Sequence, residues 1–284
     1  MQAPGSHLPH VAERSAPGTA CVLTIAGSDA GGGAGIQADL KTFAAHRVHG
    51  LSAIAALTAQ NTQGVSAVHV PHARFLREQI DAVFADFDVR AVKLGMLATR
   101  ELILTVADAL EHYSPANVVL DPVMVSTSGA RLLEPSALDA LRTRLPPLAR
   151  IVTPNIPEAE LILGRAIADD QAAARALEDL LALGTRGVLL KGGHLPEQDE
   201  VVDRLGYVDS EQGRTRATFR HARLSVEGHG TGCTLASAIA ANLCLDHSLT
   251  DACAHAADYV HGALEHAFFP GKARLALLDH FWWF

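Results

Sequence analysis

Six short runs constrain the architecture more than any other feature of this chain. CVLTIAG at 21–27, SAIAAL at 52–57, AVKLG at 91–95, NVVLD at 117–121, RIVTP at 150–154 and GVLLK at 187–191 are almost continuously apolar, and most are bounded by Gly, Pro or Asp. Strands of this kind have no solvent face. They fit a parallel sheet covered by helices on both sides. The intervening segments agree: IQADLKTFAAHR at 36–47, ARFLREQIDAVFADF at 73–87, RELILTVADALEHY at 100–113, PSALDALRTRL at 135–145 and AAARALEDLLALG at 172–184 carry apolar residues at helical spacing. The last ends in glycine, a common helix stop. LSAIAALTA at 51–59 reads as a buried strand, and EVVDRLGYVD and TRATFRHARL as a hairpin or sheet extension. The terminal LLDHFWWF is apolar enough to pack on the core or on a second subunit.

Composition excludes several classes. The net charge is −8, the wrong sign for a nucleic-acid binder. No apolar run reaches the ~18 residues that span a bilayer. Residues 1–19 are polar and broken by Pro and Gly, with no hydrophobic signal core, and read as a disordered extension. Residues 20–284 hold no internal repeat or low-complexity linker and read as a single domain. Cys21, Cys233, Cys244 and Cys253 lack CxxC spacing, so a reducing cytoplasm suits them better than a disulfide framework or a zinc site.

In a parallel α/β sheet, ligands bind beyond the carboxyl ends of the strands. The polar punctuation falls there: GSDAGGGAG at 27–35, AQNTQG at 59–64, DPVMVSTSG at 121–129, TPNIPE at 153–158 and KGGH at 191–194. Neither a GxxxxGK[ST] loop nor a GxGxxG turn after a strand is present, which disfavours ordinary Walker and Rossmann sites. GHGTGCT at 228–234 instead precedes the helical run LASAIAANL. Backbone amides at a helix start attract anions, and Gly228, Gly230 and Gly232 let that backbone approach a phosphate. Cys233 would lie in the first turn, where the helix dipole lowers a thiol's pKa. GSDAGGGAG reads as a pocket wall or a flexible loop, with Asp39 in the following helix. Gln60 and Asn61 lie at a strand end; a glutamine amide can read a heteroaromatic edge carrying an amino group and a ring nitrogen, and Asn61 is equally suited to turn chemistry. Asn155 and Glu158, three apart, suit Mg²⁺ held through water or an N-capping arrangement. Asp121 is a further candidate for Mg²⁺ or phosphate, and Lys191 can meet a phosphate. Lys93 reads as a structural partner for a carboxylate.

In order, LTIAGSDAGGGAGIQADLKTF, ALTAQNTQGV, VKLGML, VVLDPVMVSTSG, TPNIPEAELIL, LLKGGHL and GHGTGCTLASAIAANL resemble the bifunctional hydroxymethylpyrimidine/phosphomethylpyrimidine kinases of thiamine biosynthesis, within the ribokinase-like superfamily. The resemblance covers residues ~23–243. It implies an α/β, ribokinase-like fold with a central, mostly parallel sheet flanked by helices on both faces. It also implies ATP- and Mg²⁺-dependent phosphorylation of 4-amino-5-hydroxymethyl-2-methylpyrimidine, then of its monophosphate, by a cytoplasmic homodimer. Carried over by position, Gln60 would hydrogen-bond the aminopyrimidine. Ala34, Thr58, Met96, Val123 and Asp39 would belong to the substrate pocket. Gly230 and Gly232 would form the anion hole, with Cys233 as base. Lys191, Asn155 and Thr231 would serve ATP phosphates, and Glu158 and Asp121 the Mg²⁺. Thr58 stands where family members often have Val, and DAGGGAG where many have Pro-Ser after the Asp. Pyridoxal or pyridoxine kinases, sugar or nucleoside kinases and a non-catalytic ligand-binding relative are the alternatives.

The thiol has a chemical rationale. An alcohol nucleophile gains from a base, whereas a phosphate monoester is largely a dianion above a pKa of about 6 and has no proton that must leave. A fixed carboxylate 4 Å away would repel that dianion by about 4 kcal/mol at an effective dielectric near 20. A thiol can be neutral for one nucleophile and anionic for the other.

Overall fold

A computed structural model describes residues 19–125, 129, 132–194, 199–209 and 213–284. The extension expected at 1–19 therefore lies outside the described residues except for Thr19, as do residues 126–128 of the DPVMVSTSG stretch.

The apolar runs form one sheet. Strands β1 (Cys21–Asp29), β2 (His49–Asn61), β4 (Val89–Leu94), β5 (Asn117–Leu120), β6 (Ile151–Val152) and β7 (Gly187–Leu190) run parallel in the order β2-β1-β4-β5-β6-β7. Two antiparallel additions complete it. β3 (Gly64–His69) lies outside β2, while β8 (Glu200–Asp209) and β9 (Gly213–Ala222) extend the other edge as the expected hairpin. The central strands are mostly apolar because successive residues serve opposite cores. Leu23, Val92, Val118 and Leu120 pack against one helical layer; Val22, Ala91 and Val119 pack against the other.

Helices α2 (Ala73–Asp86), α3 (Arg100–Tyr113), α4 (Leu138–Arg144), α5 (Ile156–Leu163) and α6 (Asp170–Leu181) cover the first face. Helices α1 (Gly35–Ala45), α7 (Thr231–Cys244) and α8 (Leu249–Glu265) cover the second. α7 is buried along almost its whole length beneath α8, which is why LASAIAANL carries no polar stripe. The expected mostly parallel sheet with helices on both faces is the observed fold. Among the described residues, no helix is long and apolar enough to cross a membrane.

Three elements go beyond the sequence expectations. β3 is a short antiparallel edge, so the outer part of β2 is not buried: Leu57 is exposed. α8 starts at Ser248, whose hydroxyl accepts the Asp251 amide. Its Ala-rich stripe, Ala252, Cys253, Ala256, Ala257, has helical spacing and was readable in principle. Finally, β10 (Gly228–His229) pairs in parallel with β11 (Ala276–Leu277), tying the chain's last segment to the glycine loop before α7. The tail does pack on the core: Leu278 and His280 are buried and Trp282 lies over Gly262, while Phe281, Trp283 and Phe284 remain exposed.

Leu76 of α2 is wholly buried in the first core. Leu76→Ala should lower the unfolding free energy by roughly 2–5 kcal/mol with an unchanged urea m-value, since it removes apolar contacts and leaves a cavity.

Candidate active site

The carboxyl ends of β1, β2, β5 and β7 converge with the start of α7. The first loop is organised by Asp29, the last residue of β1. Its carboxylate accepts the amides of Gly31 (2.7 Å), Gly33 (3.0 Å) and Ala34 (2.9 Å), and lies 3.1 Å from His229 Nε2. Burial pushes its pKa up, but the hydrogen bonds from His229 and from the Gly31 and Ala34 amides outweigh it and hold the group below the usual carboxylate range. The glycines are required by backbone proximity. A Cβ on Gly35, at φ +56°, would meet the Gly27 carbonyl, and one on Gly230, at φ +83°, would meet the Gly33 carbonyl. The two glycine loops therefore touch, backbone to backbone, and Ala34 lies at that junction.

On the β2 side, Gln60 sits 3.0 Å from His229 Nε2, and Thr58 donates its hydroxyl proton to the Ser28 carbonyl at 2.9 Å, with Gln60 Oε1 3.2 Å away. Ala56, Met96 and Ala98 form a small apolar cluster with Val123 packed against it. Met96 Sδ fills the space a side chain on Gly27 would need. Gln60, Ala34, Thr58, Met96 and Val123 thus border one region beside the loop junction.

α7 opens this region to anions. Its N-cap is Gly230, without a capping side chain, and its first backbone bond is Thr234 N–H to the Gly230 carbonyl, 2.9 Å. The amides of Thr231, Gly232 and Cys233 donate to no group among the described residues. Such orphan donors are satisfied by a ligand or by water. Gly232 faces Lys191: a Cβ there would lie 3.1 Å from Lys191 Nζ and 3.7 Å from Asp121 Oδ2.

Lys191 ends the β7 run and is itself bracketed by acids, with Asp121 Oδ1 at 3.0 Å and Glu158 Oε2 at 3.7 Å. Glu158 is aimed by a capping box. Asn155 Oδ1 accepts the Glu158 amide (2.9 Å), and Glu158 Oε2 accepts the Asn155 amide (2.8 Å). The capping reading of this pair is the arrangement observed, and the cap turns the carboxylate toward Lys191. Burial raises Glu158 to about 7, opposed by Lys191 and reinforced by Asp121. Among the described residues, no group of three His, Cys, Asp or Glu side chains is placed to hold a metal by itself.

Two expectations need correction. Asp39 does not face the pocket. It is wholly buried, accepts Lys93 Nζ on both oxygens (2.9 and 3.0 Å), and also accepts the hydroxyls of Thr24 (2.6 Å) and Ser237 (2.7 Å). Its charge is consumed in tying β1, β4 and α7 to α1, the structural role expected of Lys93. Nor does the helix start depress the Cys233 thiol. Burial pushes it up to about 11, with Asp39 and Asp121 in the same direction, and outweighs Lys93 and the Gly35 amide. The residue nevertheless keeps partial exposure. Two further residues were missed, Asp29 and His229: Asp29 is the lone charged group of GSDAGGGAG, and His229 shares GHGTGCT with the Cys233 thiol.

The family model for phosphomethylpyrimidine kinase matches residues 29–277. This chain belongs to that family. It is 51% identical over 251 residues to the hydroxymethylpyrimidine/phosphomethylpyrimidine kinase of Rhizobium meliloti strain 1021, covering 88% of this chain and 92% of that one. A crystal structure of phosphomethylpyrimidine kinase from Clostridium difficile 630 superposes with a TM-score of 0.74 at 45% identity, over 84% of this chain and 97% of that one. The ADP complex of Bacillus subtilis pyridoxal kinase gives 0.82 at 30% identity, over 92% and 96%. The fold is ribokinase-like, and the enzyme is a kinase that transfers phosphoryl groups.

Removing one charge of the buried Asp39–Lys93 pair should cost roughly 3–5 kcal/mol. Asp39→Asn should show that loss in urea unfolding, and Asp39→Asn/Lys93→Met should recover much of it. A second prediction concerns pH. Glu158 binds its proton more tightly folded than unfolded, so the ligand-free protein should lose stability as pH rises from about 4.5 through about 7. Glu158→Gln should flatten that slope in thermal unfolding.

Proposed function

We propose that this enzyme phosphorylates the hydroxymethyl group of 4-amino-5-hydroxymethyl-2-methylpyrimidine with ATP, then phosphorylates the resulting monophosphate to the diphosphate, in thiamine biosynthesis. The observation that carries the proposal is the junction at Gly230 and Gly232. One side of it faces Lys191 and Asp121, and the other side closes on the loop beside Gln60 and Met96. A phosphoryl group resting on the α7 amides would lie between a cationic phosphate site and an acceptor pocket. The names of the similar kinases support the same substrate.

In this reading Gln60 meets the amino group and ring nitrogen of the pyrimidine, and Ala34, Thr58, Met96 and Val123 shape the surrounding walls. Lys191 meets the ATP phosphates, with Asn155 holding Glu158 in place and Thr231, Gly232 and Cys233 donating their amides to the migrating group. Asp121 and Glu158 suit Mg²⁺: two carboxylates share one ammonium, and the burial that raises Glu158 leaves room for further positive charge. Bound there with water and phosphate oxygens, Mg²⁺ would neutralise charge on the transferring phosphate.

Cys233 first gives its thiol proton to water and is a thiolate for this step. The alcohol oxygen bonds to the γ-phosphorus as the bond to the bridging oxygen breaks and ADP leaves, and the alcohol proton passes to the Cys233 sulfur, which becomes neutral again. Phosphoryl transfer depends mainly on positioning and charge, with base assistance of typically 10²–10⁴-fold for an alcohol. The burial that keeps the thiol neutral without substrate serves the second step, because a neutral sulfur does not repel a phosphate dianion. Free cysteines at 21, 233, 244 and 253 accord with a cytoplasmic setting, and exposed Phe281, Trp283 and Phe284 offer apolar area to a homodimer.

Phosphate-31 NMR of the pyrimidine with Mg-ATP should show monophosphate, then diphosphate. Absence of both, with turnover of pyridoxal instead, would replace this reading by the B6-vitamer kinase suggested by the Bacillus subtilis neighbour. Cys233→Ala should slow the alcohol step by about 10²-fold and the phosphate step far less. Cys233→Asp should retain the first step and suppress the second.

A further inference from the structure

The residues after α8 run back across the active-site end of the molecule. Ala276 N–H donates to the Glu227 carbonyl (3.1 Å), and β11 pairs with β10, the strand that delivers Gly228 and His229 to the α7 start. Leu277 Cδ2 lies against Gly33, alongside the His229 ring. Beyond β11 the chain turns inward and places His280 in the interior, 3% exposed, with Nε2 3.2 Å from the hydroxyl of Thr234. Thr234 is also wholly buried, and it follows Cys233 directly.

The hydrogen-bond directions are fixed by chemistry. Burial holds the imidazole neutral by lowering its pKa to about 4, with Lys41 acting in the same sense and a backbone hydrogen bond with Leu278 opposing them; a neutral ring has one N–H, which serves the Leu278 carbonyl and leaves Nε2, the atom facing Thr234, without a proton. Nε2 is then an acceptor, so Thr234 Oγ1–H is the donor. The histidine is held from behind. Tyr259 of α8 donates its hydroxyl to the His280 carbonyl at 2.8 Å, Asp279 N–H donates to the Ala263 carbonyl at 3.1 Å, and Trp282 Nε1–H donates to the Tyr259 carbonyl at 3.2 Å. A threonine hydroxyl inside a helix ordinarily turns to its own i−4 carbonyl. Here that carbonyl belongs to Gly230 and already receives the Thr234 amide, while the hydroxyl is engaged outside the helix.

We infer that His280 is a positioning residue for phosphoryl transfer: through Thr234 it sets the place of the first turn of α7, and so of the Thr231–Cys233 amides and the Cys233 sulfur. The inference rests on the reading of α7 as the anion hole. His280 touches neither substrate nor the reacting atoms. The turn it holds has no capping side chain of its own, so the closing segment of the chain contributes to its placement alongside the Gly33–Gly230 contact. Mispositioning of that turn costs transition-state stabilisation while leaving the walls beside Gln60 intact, so the loss falls on kcat and not on KM for the pyrimidine.

The test uses the full-length enzyme with His280→Ala, Thr234→Val, their double variant and His280→Gln. Hydrogen–deuterium exchange of the amides of residues 231–235 should quicken in His280→Ala and Thr234→Val without faster exchange in β1, β4 or β5. In turnover, each single variant should lose about tenfold in kcat with KM for the pyrimidine within twofold of wild type. The double variant should be no worse than either single one, because both remove the same bond. His280→Gln, whose amide oxygen can still accept from Thr234, should recover part of the loss. Faster exchange with unchanged kcat, a kcat loss that multiplies in the double variant, or a loss carried by KM would each overturn the inference. Wild-type protein that fails to phosphorylate the pyrimidine would refute the functional reading instead, and the exchange data would still decide whether His280 holds the turn. Should His280→Ala not fold, Thr234→Val alone decides the matter by the same two measurements.

Discussion

The active-site end of the molecule is built around a contact made without side chains. The Gly33 carbonyl occupies the space a Cβ on Gly230 would need, and the Gly27 carbonyl does the same at Gly35. Both positions have positive φ, so glycine meets a conformational and a steric demand together. The loop after β1 and the loop before α7 are more than 190 residues apart in sequence, and this approach joins them. Asp29 makes it durable by taking three amides of the first loop and His229 of the second. The start of α7 with the Cys233 sulfur and the strand ends beside Gln60 owe much of their mutual placement to it.

Two lysines, one in β4 and one just after β7, show how burial separates architecture from chemistry. Lys93 and Asp39 are both wholly buried, and hydroxyls from Thr24 and Ser237 satisfy the remaining acceptor capacity of the carboxylate. Nothing is left over for a ligand. Lys191 keeps 14% of its side chain exposed and shares two carboxylates unequally, at 3.0 and 3.7 Å, below the uncapped start of α7. That ammonium is less completely enclosed than the one on Lys93. The residue type is the same at both strands; the completeness of the surrounding hydrogen bonds decides the role.

Much of this was legible in the chain itself. Period-free apolar runs gave away the parallel strands, because burial on both faces leaves no alternation to see. The order of glycine-rich and polar stretches pointed to the strand ends that the fold brings together with the start of α7, since polar residues at strand ends have few other reasons to cluster. Asp39 misled because position in a motif says nothing about the direction of a helical side chain, and its three partners come from β1, β4 and α7. The Cys233 thiol misled because proximity to a helix start is local, whereas the burial that opposes it depends on the whole fold. His280 could not have been placed at all: its partner Thr234 lies 46 residues earlier, and no periodicity links them.

The two margins of the sheet are unlike. β9 presents Arg214, Arg216 and Arg220, each already facing an acid on Glu178 or Glu200. β3, with the sequence GVSAVH, carries no Lys, Arg, Asp or Glu and leaves Val68 exposed. Unpaired backbone on a strand margin recruits other strands unless charge discourages it. Edge-to-edge association between molecules is therefore resisted at one margin by desolvation of paired ions, while the other offers bare peptide groups and small side chains. Of the two margins, the one beyond β3 is the less defended.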